Sequence, residues 1–196
     1  MNCFSVEDVL TQYVDRLKLV LDSVNTQNIK HLAETLLTVW REGRQVMICG
    51  NGGSAGNAIH LANDFLYGVG CGKVPGIKVE ALPANSAVIS CLANDEGYEH
   101  IFSEQIKAKG CSGDVLLVLS GSGNSPNVVN ALNTAKERQL ETFAILGFDG
   151  GQCLKLAKYP IHFPVNDMQV SEDTQLIVGH ICMQWLSTRS APFENR

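Results

Sequence analysis

A regular alternation of short apolar runs with longer segments of helical periodicity constrains the fold of this chain most strongly. The apolar runs predict five strands, at about 45–49, 77–82, 114–119, 142–147 and 160–163. The segments after them predict helices at about 54–67, 86–108, 125–139, 151–157 and 169–187. Such alternation predicts a parallel sheet whose two faces are covered by helices, an α/β fold.

Two further helices are expected before the first strand, over residues 6–24 and 28–42. Apolar residues recur there with the 3.6-residue period of an amphipathic helix, and Asn25 to Asn28 interrupts the pattern. The apolar faces need a covering surface, and a helix of another subunit is one expectation. Packing within the chain is the alternative.

Small and hydroxyl-bearing residues follow two of the strands, at 50–56 and at 120–126. Glycines allow a tight backbone turn around an anion, and the following helix directs free N–H groups and its positive dipole end at the same point. In parallel sheets ligands bind outside the carboxyl ends of the strands, where both loops lie. One such loop is weak evidence, but two predict a phosphate group. Neither loop is a nucleotide fingerprint, since the first lacks the Walker lysine.

Four ionisable residues occur in pairs on the third and the last helix: His60 and Asp64, and Glu172 and His180. Residues four apart differ by about 40° around a helix axis and residues eight apart by about 80°, so each pair can face one way. Imidazoles with carboxylates are ligands for zinc, and they are also the groups that move protons. A lone helical histidine is more often a core or surface residue, so the loops are needed to favour a site.

Composition excludes several classes of protein. A chain of 196 residues with 45% apolar content can form one compact domain, 1–196, or at most two. The apolar stretches are short and interrupted, so no membrane span is expected. A net charge of −5 without a basic run argues against nucleic acid as the main ligand. The start, Met1 to Asp8, has no basic region before an apolar run, so no secretory signal is expected.

Seven cysteines without a C-x-x-C pair predict reduced thiols and a cytoplasmic location.

Four motifs, read together, carry a resemblance to a known family. They are Cys49-Gly-Asn-Gly-Gly-Ser-Ala, His60-x-Ala-x-Asp64, Cys91-Leu-Ala-Asn-Asp-x-Gly-Tyr and Leu119-Ser-Gly-Ser-Gly-Asn-Ser-Pro. Over about residues 6 to 188 the chain resembles the sugar-isomerase (SIS) family, and within it most resembles the phosphoheptose isomerases.

The resemblance implies a three-layer α-β-α sandwich with a flavodoxin-like five-stranded parallel sheet. It implies a helical pair, about 1–43, that is used in oligomerisation, and a sheet core at 44–188. It also implies a homotetramer with active sites at subunit interfaces. The expected reaction interconverts sedoheptulose 7-phosphate and D-glycero-D-manno-heptose 7-phosphate, for heptose precursors of bacterial surface polysaccharide.

The resemblance also assigns expected roles to individual residues. Those expected to bind the sugar phosphate are Asn51, Gly52, Gly53, Ser54, Asn94, Asp95, Ser120, Gly121, Ser122, Ser125 and Glu172. Those expected to bind Zn²⁺, or another divalent metal, are His60, Asp64, Glu172 and His180. The expected catalytic residues are Asp64, Glu172 and His180.

Two of these residues depart from the usual family pattern, which has Glu in place of Asp64 and Gln in place of Glu172. Aspartate is one methylene shorter, so its carboxylate is retracted by roughly 1.5 Å, enough to slow a proton transfer that requires close approach. Glu172 restores a longer carboxylate on the other helix. The expected reaction passes through a cis-enediol, with Asp64 or Glu172 as the base and His180 moving a proton at the oxygens.

Two rival functions remain open, because fold alone does not determine activity. A non-catalytic tetramer of this fold could bind a sugar phosphate or the bacterial replication initiator protein. The four ionisable residues favour an enzyme. An isomerase of another sugar phosphate, for example a hexulose phosphate, is the second rival.

Overall fold

The computed structural model of the chain describes residues 4–189 and contains eight α-helices and five strands in this range. The helices are α1 Val6–Ser23, α2 Thr26–Glu42, α3 Gly53–Asn63, α4 Ser86–Asp95, α5 Ser103–Lys109, α6 Pro126–Glu137, α7 Cys153–Leu156 and α8 Met168–Ser187. The strands are β1 Gln45–Cys49, β2 Lys78–Ala81, β3 Val115–Ser120, β4 Glu141–Leu146 and β5 Tyr159–His162. The predicted order of elements is therefore confirmed.

The five strands form one sheet in the order β2-β1-β3-β4-β5, and every neighbouring pair is parallel. This is the flavodoxin-like order predicted from the resemblance. The strand order reverses between β1 and β3, and the loops at 50–56 and 120–126 follow these two strands. The topology therefore brings both loops to one crevice at the edge of the sheet.

Side chains of successive strand residues enter two separate cores, one on each face of the sheet. Val46 and Ile48 of β1 pack in the core that includes α2, α3 and α8. Met47 and Cys49 pack in the core on the opposite face, which includes α5 and α6. All four are fully buried, as expected for a parallel strand covered on both faces. The predicted three-layer α-β-α sandwich is confirmed.

The segment predicted as one helix at 86–108 is instead divided into α4 and α5. Gly97 adopts a φ of 96°, which interrupts the helix, and a short 3₁₀ turn at Tyr98–His100 follows. α3 also changes character at its end, because a π-helical turn, Asp64–Gly68, continues it. The turn begins at one of the predicted site residues.

The two N-terminal helices pack on the sheet domain in different ways. α2 buries Leu32, Leu36 and Trp40 in the core. α1 buries only Val20 fully, and its contacts with α8 include a hydrogen bond from the Tyr13 hydroxyl to Asp173 Oδ2 (2.5 Å). Other apolar side chains of α1 are exposed, among them Val6, Val9, Leu10 and Leu19. In the part of the chain that the structure describes, no helix is long and apolar enough to cross a membrane.

α3 and α8 lie side by side and run in the same direction. Three pairs follow one another along them: Gly53 beside Glu172, Leu61 beside Gly179, and Gly68 beside Met183. A Cβ atom at Gly179 would clash with the side chain of Leu61, which is fully buried. The absence of a side chain at Gly179 therefore sets how closely the two helices approach.

Gly179→Ala is expected to lower the free energy of unfolding by about 2 kcal/mol, because the added methyl group overpacks a buried contact. Gly56→Ala is the matched control on α3, since a Cβ there meets no atom within 4 Å. The control is expected to be neutral or to stabilise the protein by up to about 1 kcal/mol, through higher helix propensity. Urea unfolding of both variants measures the difference, and equal effects would contradict this account of the helix contact.

Candidate active site

The close approach of α3 and α8 brings three of the four predicted metal residues together. The Nε2 atoms of His60 and His180 lie 2.9 Å apart, and each lies 3.5 Å from Oδ2 of Asp64. The Asp64 side chain is mostly buried, whereas both imidazoles are partly exposed. We name these three residues the His-Asp-His group.

The donor atoms of the His-Asp-His group have spacings suited to a metal ion. Zn²⁺ binds histidine nitrogen and carboxylate oxygen at about 2.0–2.2 Å, so two ligands of a tetrahedral ion lie about 3.4 Å apart. The measured separations of 2.9 and 3.5 Å are close to that value. The three residues could therefore hold a divalent metal ion.

Glu172, the fourth predicted metal residue, lies apart from the His-Asp-His group. Glu172 and His180 are eight positions apart on α8, and the helical rise puts their Cα atoms roughly 12 Å apart. Its carboxylate lies against Gly53, at the beginning of α3, where a side chain at Gly53 would occupy the same space. Glu172 instead contributes to a cavity between the two loops.

This cavity, which we name the loop cavity, has a volume of about 260 Å³ and lies at the carboxyl ends of β1 and β3. Nine of the eleven residues predicted to bind the sugar phosphate line it: Asn51, Gly52, Gly53, Ser54, Ser120, Gly121, Ser122, Ser125 and Glu172. Leu119 and Met168 complete its lining. The structure thus brings the two Gly/Ser loops together as the sequence predicted.

The other two predicted binding residues, Asn94 and Asp95, do not line the loop cavity. They are exposed at the end of α4, where Asn94 Nδ2 donates a hydrogen bond to Asp95 Oδ1 (2.7 Å). This hydrogen bond, followed by one from Cys91, keeps the pKa of Asp95 below its usual value. A role for this pair in substrate binding stays a prediction.

The loop cavity has the donors that an anion requires. Ser120 Oγ accepts a hydrogen bond from the Gly123 N–H (3.0 Å), and Ser122 Oγ accepts one from the Asn124 N–H (3.3 Å). Since each hydroxyl oxygen already accepts a backbone proton, its own O–H is left to donate. The first turn of α3 adds unpaired N–H groups and the positive end of the helix dipole.

Several supporting residues were missed by the sequence analysis. Gln175 is fully buried, and its Nε2 donates to Ser54 Oγ of the first loop (2.9 Å). Asn57 donates to Gln175 Oε1 (2.9 Å) and to the backbone oxygen of Glu172 (3.0 Å). A signal was present, because Ser171, Thr174 and Gln175 are polar residues within a largely apolar helix, and a buried amide needs a partner.

Comparison of the sequence with known proteins identifies the family. The SIS domain pattern matches residues 12–147. A phosphoheptose isomerase from Haemophilus ducreyi is 38% identical over 179 residues, which cover 89% of each chain. One from Aneurinibacillus thermoaerophilus is 33% identical over 153 residues, which cover 78% of this chain and 77% of the relative.

The chain belongs to the SIS domain family.

Comparison with a solved structure agrees with this family assignment. A phosphoheptose isomerase from Neisseria gonorrhoeae superimposes on this SIS domain with a TM-score of 0.84. The alignment covers 93% of this chain and 98% of the other, with 27% sequence identity.

One feature of this SIS site is a carboxylate, Glu172, in a cavity that is otherwise lined mainly by glycines and hydrogen-bond donors. A negative Glu172 side chain repels a phosphate group held by the two loops. Glu172→Gln removes the charge at nearly constant shape, so the affinity for inorganic phosphate is expected to rise by about fivefold. Glu34→Gln, at an exposed position of α2, is the matched control and is expected to have no effect. Titration calorimetry with phosphate measures both, and weaker binding by Glu172→Gln would contradict this electrostatic account.

Proposed function

We propose that this SIS protein is an isomerase that interconverts sedoheptulose 7-phosphate and D-glycero-D-manno-heptose 7-phosphate, in the supply of heptose for bacterial surface polysaccharide. The observation that carries the proposal is the presence on one helix pair of both the Glu172 carboxylate, which lines the loop cavity, and the His-Asp-His group. The phosphoheptose isomerases similar to this chain over most of their length support the choice of substrate.

The loop cavity would bind the phosphate end of the sugar. The hydroxyl groups of Ser120, Ser122 and Ser125 and the backbone of Gly52 and Gly53 would donate to its oxygens. Binding energy from this group, remote from the reacting carbons, would orient the open-chain sugar against the catalytic side chains.

Isomerisation through an enediol requires a base that removes the proton beside the carbonyl. Glu172 lies in the loop cavity, and we assign the base to it, because Asp64 is held between two histidines. Asp64 is the alternative base. His180 would deliver and remove the proton at the sugar oxygens as they exchange carbonyl and hydroxyl character.

The donor set of the His-Asp-His group fits a divalent ion, and zinc is the proposed occupant. His60, Asp64 and His180 would hold it. A bound zinc ion would supply Lewis acidity that polarises the carbonyl and hydroxyl oxygens. Coordination through Oδ2 would withdraw electron density from the Asp64 carboxylate and make it a weaker base, which is a further reason to assign the base to Glu172. Glu172 as a fourth protein ligand stays a prediction.

Other expectations remain parts of this proposal. The exposed apolar residues on α1 support the use of the segment 1–43 in a homotetramer. The six cysteines that the structure describes are all free, which is compatible with a reducing cytoplasm. A single domain over 1–196 with its sheet core at 44–188 also stays a proposal, and residues 1–3 and 190–196 lie outside the described part.

Turnover of sedoheptulose 7-phosphate by the purified protein tests the function and the metal together. NMR of the sugar is expected to show conversion that falls after chelation and returns when zinc is added. Binding of the sugar phosphate without conversion in either state would favour a non-catalytic SIS protein. Conversion only of a shorter sugar phosphate would favour the second rival.

Two charge-removing variants distinguish the two candidate bases. Glu172→Gln is expected to lower kcat by at least about 100-fold while the protein still binds zinc, because the base is lost and the His-Asp-His group is intact. Asp64→Asn is expected to weaken zinc binding and to recover part of its activity at saturating zinc. An active Glu172→Gln protein, with an Asp64→Asn protein that stays inactive at saturating zinc, would assign the base to Asp64 instead.

A further inference from the structure

A pair of amide side chains, Asn51 and Asn127, connects the two loops at the loop cavity. Asn51 Nδ2 donates to Asn127 Oδ1, and Asn127 Nδ2 donates to Asn51 Oδ1, both at 2.8 Å. Asn51 belongs to the first loop and lines the cavity. Asn127 lies in the first turn of α6, directly after the second loop, and is 1% exposed. The pair therefore spans from one loop to the base of the other.

A third residue completes this network. The Tyr98 hydroxyl donates to the same oxygen of Asn51 (3.1 Å). An amide oxygen accepts two hydrogen bonds, so Oδ1 of Asn51 is saturated by Tyr98 and Asn127. One N–H of Asn51 is used by Asn127, which leaves its second N–H as the group available to a ligand. The network thus makes Asn51 a donor toward the cavity, as an anion or a sugar hydroxyl requires.

We propose that Asn127 is a positioning residue, which fixes the side chain of Asn51 and the spacing of the two loops for the phosphorylated sugar. The inference rests on the proposed function, because it assigns the bound molecule to the loop cavity. Asn127 does not line this cavity, so it acts through Asn51. Its buried amide has both its oxygen and its nitrogen engaged with Asn51, and no other described side chain offers Asn51 the same reciprocal pair.

The loss of Asn127 affects binding more than the chemical step. Without its partner, the Asn51 amide is held only by the hydrogen bond from Tyr98, and the first loop loses its tie to the start of α6. Since Glu172 and the His-Asp-His group lie on α3 and α8, the proton-transferring groups are unaffected. Asn127→Ala is therefore expected to raise KM for sedoheptulose 7-phosphate and Kd for inorganic phosphate by roughly tenfold, with kcat changed by less than about threefold.

A double-mutant cycle tests whether Asn127 acts through Asn51. The variants are Asn51→Ala, Asn127→Ala and the double variant, each measured for KM, kcat and phosphate Kd. If the two residues act as one unit, adding Asn127→Ala to Asn51→Ala changes Kd by less than about twofold, although alone it changes Kd by roughly tenfold. Asn130→Ala is the matched control, because Asn130 lies one turn further along α6 and donates to the Glu99 backbone oxygen (3.0 Å) rather than to a loop.

The alternative outcomes separate this inference from the function itself. Additive effects, or a rise in KM for Asn130→Ala equal to that for Asn127→Ala, would overturn the positioning role and leave the isomerase intact. A wild-type protein that binds phosphate tightly without isomerising the sugar would overturn the function, while coupled losses of phosphate binding would retain the positioning role. Thermal unfolding verifies folding, and Asn127→Ser replaces Asn127→Ala if the latter does not fold.

Tyr98→Phe, at an exposed position, is expected to raise Kd for inorganic phosphate by about twofold to threefold.

Discussion

The close contact between α3 and α8 is the constraint on which the candidate site depends. Gly179 offers no side chain, so the buried Leu61 packs against the backbone of α8. The parallel course of the two helices then brings His60 to His180. The same course places Glu172 beside Gly53, two helical turns earlier. One packing contact thus fixes both the geometry of the His-Asp-His group and the position of the carboxylate in the loop cavity.

The sheet supplies the other half of the site. Because the strand order reverses between β1 and β3, the loops that follow them face each other across one crevice. Amide contacts hold the loops in place: Gln175 holds Ser54, and Asn127 holds Asn51. The cavity therefore combines hydrogen-bond donors that are held in place with one carboxylate, Glu172. A carboxylate at this position weakens anion binding, and the proposed role of Glu172 as the base gives that carboxylate a use in the chemistry.

The sequence was sufficient to predict the order of elements, the three-layer fold and the meeting of the two loops, because strand and helix periods and Gly/Ser turns are local signals. It predicted one helix at 86–108, since a lone Gly97 does not reveal a positive φ. Glu172 was grouped with His180 because the two residues can face the same side of the helix. The axial rise of roughly 12 Å between them, which separates their side chains, was not considered. Asn127 and Gln175 were missed because their partners lie on distant segments, which only the folded chain brings together.

The incorporation of solvent deuterium during turnover tests the central claim most directly, namely that side chains of this site isomerise a sugar phosphate by proton transfer. Sedoheptulose 7-phosphate is incubated with the protein in D₂O, and the product is analysed by NMR. In the enediol mechanism, the proton that the base removes from C1 exchanges with solvent before a proton is returned to C2. The account therefore predicts deuterium at C2 of the aldose product. Conversion without any deuterium in the product would indicate a direct hydride shift and would contradict the assignment of a carboxylate base.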